Sequence, residues 1–205
     1  MATKIKSPER LVFFSDAVVA IALTLLILPL ADLVREKDPL GSLHMLESRQ
    51  ALIWSFLLSF VVIARLWLGH HKLYEQIKAY NTPLMAANLL WILTIAILPF
   101  PTEMVATYDS HDRVTLVLYI GTLFVSSLLT TIMTVIAGND ESLEVAPGAI
   151  SRRWRFDSIT VTATFGVALL IVGIFPTASY YPLLLNMVQP WIVRLRFRGS
   201  PPETS

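Results

Sequence analysis

Residues 10–30 read RLVFFSDAVVAIALTLLILPL. From Leu11 onward this is an apolar run of about twenty residues interrupted by one acid, the length an α-helix needs to cross a hydrocarbon core roughly 30 Å thick. A cleaved secretory leader has a shorter apolar region followed by small residues at its cut site. Here the run passes into ADLVREK, which offers no convincing site of that kind, so the segment reads as a retained span. The whole chain agrees: of 205 residues 55% are hydrophobic and 15% charged, and the mean hydropathy is +0.63. Such a composition excludes a disordered chain or an ordinary soluble enzyme and makes lipid the expected solvent.

Working outward, five further apolar segments follow the first (11–30), at about 51–68, 84–100, 114–137, 159–175 and 178–193. The expected fold is an all-α, polytopic membrane protein of six transmembrane helices in one domain. Charged or turn-forming loops are expected at 31–50, 101–113 and 138–153, and a disordered tail at 199–205. Pro29, Pro99 and Pro176 read as span ends. With six spans and the N-terminus inside, twelve of the sixteen Lys and Arg fall on the cytoplasmic side, and only Arg35, Lys37, Arg49 and Arg113 fall outside. Both termini are therefore expected in the cytoplasm. The net charge of +1 gives no argument for nucleic acid, and the absence of cysteine removes disulfides, thiolate metal sites and cysteine nucleophiles.

No zinc-protease HExxH, nucleophile elbow, phosphate-binding glycine loop or paired intramembrane aspartate is present, so no enzyme chemistry is expected. His70 and His71 are adjacent and project about 100° apart on a helix, which suits hydrogen bonding better than joint ligation of a metal. Charges inside spans are costly and invite a functional reading. Arg65 is close enough to an end to snorkel, and Asp157 sits beside Arg153 and Arg155 near an interface. Asp16 is six residues from Arg10, too far for a helical pair, so each is expected to brace another segment. The end of the second span, with Trp67, His70 and His71, lies at the right depth. The alternative is that Asp16 is a helix N-terminal charge favoured by the macrodipole.

Arg10, followed after three residues by Phe14, Ser15 and Asp16, then AIALTLLILP in the same helix, WLGHH after the second span and ILPFPTE ending the third, resemble the transmembrane protein 175 family of potassium-permeable channels. The resemblance is plain over roughly the first hundred residues. It implies a homotetramer whose first helices line a central pore without a re-entrant filter, and the chain indeed has no TVGYG loop. It further implies an apolar constriction five residues after the signature aspartate, at Ile21, a polar position at Thr24 and a second apolar ring at Leu28. Potassium would be the permeant ion, with no cofactor.

Helix geometry tests that assignment independently. At 100° per residue Leu28 lies about 20° from Ile21, Thr24 and Leu25 flank it, Asp32 returns to within about 20°, and Asp16 falls about 140° away. Conduction and bracing thus separate onto opposite faces. Apolar stripes at this spacing more often pack a core than line a pore; the resemblance reverses that balance. Aliphatic rings do not replace a hydration shell, so modest preference for potassium over sodium would come from width and partial dehydration. Asp32, Glu36 and Asp38 beyond the outer end would concentrate cations, unless Arg35 and Lys37 neutralise them. Two rival readings are a proton-coupled carrier using Asp16, Arg65 and His70, and a scaffold whose stripe only packs helices.

Overall fold

The computed structural model describes residues 7–35, 39, 41–185 and 196, and among them every regular element is helical. In chain order these are α1 (Glu9–Leu25), α2 (Leu28–Arg35), α3 (Ser42–Ser48), α4 (Gln50–Glu75), α5 (Thr82–Ile97), α6 (Pro99–Thr107), α7 (Arg113–Gly138) and α8 (Arg152–Ile174). Among the described residues five stretches are long and apolar enough to cross a membrane: Glu9–Arg35, Gln50–Glu75, Thr82–Thr107, Arg113–Gly138 and Arg152–Ile174. Their alternation puts Arg10, Lys72, Lys78 and Arg152 at one end of the bundle, the basic end, and Arg35 and Arg113 at the other.

Two of these crossings differ from the sequence expectation. Pro29 and Pro99 interrupt spans instead of ending them: α1 stops at Leu25, the chain turns through Leu26 and Ile27, and α2 resumes with Pro29 in its first turn. Proline lacks the N–H that would bond back four residues, so a break forms, and its fixed φ suits the first turn of the next helix. Pro99 likewise opens α6, which carries helix through Glu103 to Thr107, where a loop was expected. The 31–50 loop also holds helix, in the last turn of α2 and in α3. Of the expected sixth span, 178–185 contains short 3-10 turns ending at Leu184. Residues 186–193 and the tail 199–205 lie outside the described residues.

The core follows from α7, which packs against α5 on one side and most extensively against α8 on the other. Trp91 and Ile95 of α5 and Leu116, Tyr119, Ile120, Leu123 and Met133 of α7 are fully buried. Gly166 lets α8 approach α7 closely, since a Cβ there would stand 3.2 Å from the Phe124 ring. A run of hydroxyls knits the same pair: Thr131 Oγ1 lies 2.8 Å from both Ser158 Oγ and Thr162 Oγ1, and Thr162 is 2.9 Å from Ser127. Water is scarce at this depth, so each hydroxyl needs a protein partner. Thr131→Val is expected to destabilise the bundle by about 1 kcal/mol, the usual worth of an interhelical hydrogen bond in a membrane, measurable by unfolding in mixed micelles. An unchanged stability would show that the neighbouring hydroxyls re-pair.

Loops fix the helix ends. Asn81 caps α5 through Leu84 N (2.9 Å), Asp112 caps α7 through Thr115 N (2.8 Å) and Ser151 caps α8 through Trp154 N (3.1 Å), each satisfying an otherwise orphaned N–H. At the basic end Lys78 N donates to Leu143 O and Val145 N to Gln76 O, both at 2.9 Å, which joins the α4–α5 and α7–α8 connections. At the opposite end Asp109 accepts from the His111 backbone N–H at 2.7 Å and lies 3.1 Å from its ring Nδ1. The backbone donor, with the ring second, holds the Asp109 carboxyl below its ordinary range. A depressed carboxyl contributes stability above its unfolded pKa, near 4, and loses it as pH falls through the lower folded value. Protection of the His111 amide, taken relative to its intrinsic exchange rate, is therefore expected to fall on acidification below about pH 4 in the native chain but not in Asp109→Asn.

Candidate functional site

The first crossing has two faces. Ser15, Val19, Ala22 and Leu26 recur at helical spacing and are buried against the bundle. Ser15 donates its hydroxyl hydrogen to Leu11 O at 2.8 Å and accepts from Asn88 Nδ2 of α5 at 3.0 Å. Because Asn88 spends its amide on Ser15, its Oδ1 faces His70 of α4, whose Nε2–H donates to it at 2.6 Å. Three helices are thus joined by one chain of fully buried polar groups. His70 is sandwiched into place by Trp91, stacked at a centroid distance of 4.0 Å, and by Tyr74 at 4.6 Å. Its Nδ1 and the Trp91 Nε1 are buried without a partner among the described residues.

One residue along, Asp16 accepts from Trp67 Nε1 of α4 at 2.7 Å. The Trp67 ring lies 5.2 Å from that of His71, which in turn stands 3.5 Å from Glu75. Asp16 therefore braces the first helix against the end of the second span, at the depth the sequence suggested. The two histidines diverge: His70 serves Asn88 and His71 serves Glu75. Asn88 is the member that sequence reading missed. Its signal was present, since a lone amide within the apolar run AANLLWILTIAI needs an interhelical partner.

The opposite face is open. Ile21 is 58%, Leu25 42% and Leu28 52% exposed, and Thr24 is exposed beside them. Thr24 donates to Ile21 O at 2.7 Å, which fixes its hydroxyl oxygen as an outward acceptor. The 100° arithmetic holds from Ile21 to Leu25, but Leu28 and Asp32 belong to α2, beyond the break, so their direction is set by the turn at Leu26 and Ile27. Asp32 is exposed and 3.4 Å from Arg35. Glu36 and Asp38 lie outside the described residues. Arg10 and Phe14 are exposed on the first turns of α1, and Arg65 is exposed on α4. Asp157 sits in the second turn of α8.

A chain with this signature, clamp and open face has relatives of known type. A family model described as the endosomal/lysosomal potassium channel TMEM175 matches residues 10–99. A potassium channel of Streptomyces collinus is 36% identical over 104 residues, 51% of this chain and 50% of that protein, so the match spans half of that relative's length. A potassium channel of Chamaesiphon minutus is 28% identical over 204 residues, covering 89% of this chain and 99% of its own. A potassium channel of a Chryseobacterium species is 30% identical over 177 residues, covering 85% and 84% respectively. The matched stretch carries the whole clamp, from Ser15 and Asp16 through Trp67 and His70 to Asn88, and the chain belongs to the TMEM175 family of channels.

Proposed function

We propose that four copies of this chain form a passive, potassium-permeable cation channel whose pore is lined by α1. Ile21 forms the narrowest ring, Thr24 a polar layer and Leu28 a second apolar ring. The observation that carries this reading is the division of α1: one face is clamped to α4 and α5 through Ser15 and Asp16, while Ile21, Leu25 and Leu28 stay about half exposed in their own subunit. A rigidly held helix with a bare apolar stripe suits assembly around an axis, with the stripe meeting water and ions instead of side chains. Selectivity for potassium over sodium is modest, because aliphatic groups discriminate only through width and the work of partial dehydration. Asp32, with Glu36 and Asp38, draws cations to the outer mouth. Both termini face the cytoplasm of a bacterial cell, the side favoured by the distribution of Lys and Arg.

The breaks at Pro29 and Pro99 favour a second reading, since discontinuous helices also mark secondary transporters. Potassium flux in liposomes separates the two. A channel follows the potassium gradient without coupled proton movement, and the protein runs as a tetramer by mass. Fixed proton stoichiometry would establish the carrier, and no flux from an intact tetramer would leave only a scaffold.

A further inference from the structure

The two interrupted crossings meet around a half-open cavity of about 400 Å³, bordered by the α1–α2 joint, the first turns of α4 and the start of α6. That size is in the range that holds small organic ligands. Its walls are chiefly apolar, with Leu28, Phe56 and Phe100 among them, and every polar side chain on its lining is an acid or a hydroxyl: Asp32, Glu103, Ser55 and Thr102. No Lys, Arg or His is among the described residues that line it.

Three features give this lining a surplus of acceptors. Ser55 is nine-tenths buried and its hydroxyl has no hydrogen-bond partner among the described residues. Pro29, also on the lining, contributes no N–H donor. Glu103 has no ion pair among the described residues, whereas the Asp32 carboxylate is already shared with Arg35. We propose that this cavity, at the break in α1 and beside the stripe of Leu25 and Leu28, binds an amphiphilic primary ammonium ion. Its three N–H donors meet only acceptors, and its hydrocarbon body meets the aromatic and aliphatic walls. A bare inorganic cation lacks the apolar body that most of the surface requires, and an acyl chain leaves Ser55 and Glu103 unused.

The test is equilibrium binding of n-hexylammonium to the full chain in lipid nanodiscs, by calorimetry, with 1-hexanol and potassium as comparators. Hexylammonium is expected to bind about tenfold more tightly than hexanol, the worth of charge-assisted hydrogen bonding. Glu103→Gln is expected to weaken it about tenfold, and Ser55→Leu to remove saturable binding by filling the cavity. Equal affinity for hexanol would make the cavity a plain apolar pocket and overturn the proposal. So would displacement by potassium at concentrations equal to those of the amine, or binding unaffected by Glu103→Gln, an exposed position that tolerates change. Binding is read without ion flux, so its outcome is separate from that of the channel reading.

Discussion

Ile21→Asn is expected to raise cation flux by about tenfold, which corresponds to roughly 1.4 kcal/mol of barrier, and to abolish the preference for potassium over sodium. The reason is the work done at the narrowest ring. In the proposed pore an ion passing four isoleucines would shed part of its hydration shell against groups that give nothing back, whereas an asparagine amide would replace some of that water. The larger gain belongs to sodium, the more strongly hydrated ion, so selectivity falls as flux rises. The fold is expected to tolerate the change within about 0.5 kcal/mol, because the side chain touches little of its own subunit. Potassium and sodium flux in liposomes, with melting in the same preparation, checks both halves. Equal fluxes of wild type and Ile21→Asn would remove Ile21 from the pore.

The other large effect is expected in stability. Asn88→Ala is expected to destabilise the subunit by about 3 kcal/mol, since it strands two buried groups at once: the Ser15 hydroxyl loses its donor and His70 loses its acceptor. It also opens a void beside Trp91, which is fully buried. Loosening this joint frees α1 from α5 while leaving the Asp16 to Trp67 bond in place. Equilibrium unfolding of Asn88→Ala against wild type measures the loss, and Asn88→Ser tests its origin, since a hydroxyl recovers one of the two bonds. A loss below about 1 kcal/mol would mean that the buried chain Ser15–Asn88–His70 contributes no more than an ordinary membrane hydrogen bond.

Much of this arrangement was legible in the residues themselves. Hydropathy located the five described crossings, because in lipid only a long apolar helix satisfies its own backbone. The costly charge at Asp16 pointed to a partner on the second span, and Trp67 supplies it. Pairing across 73 positions was not legible: nothing local in Asn88 says that its amide turns toward Ser15 and its carbonyl toward His70. The prolines misled for a related reason. A proline marks a stop or a kink equally well, and the outcome depends on whether neighbouring helices carry the chain onward. Around Pro29 and Pro99 they do, with α2 lying against α4 and α6 against α4 and α7. The same breaks create the cavity and put Leu28 beyond the reach of simple helix arithmetic.

Because the chain has no cysteine, a single thiol can be placed without background. The direct measurement is potassium flux through Ile21→Cys liposomes with micromolar cadmium on both sides. Four thiols converging on one axis form a soft metal site, so cadmium is expected to stop the flux of Ile21→Cys, a chelator to restore it, and wild type to be unaffected. Undiminished potassium flux through Ile21→Cys in the presence of cadmium would mean that these side chains do not meet around a common path.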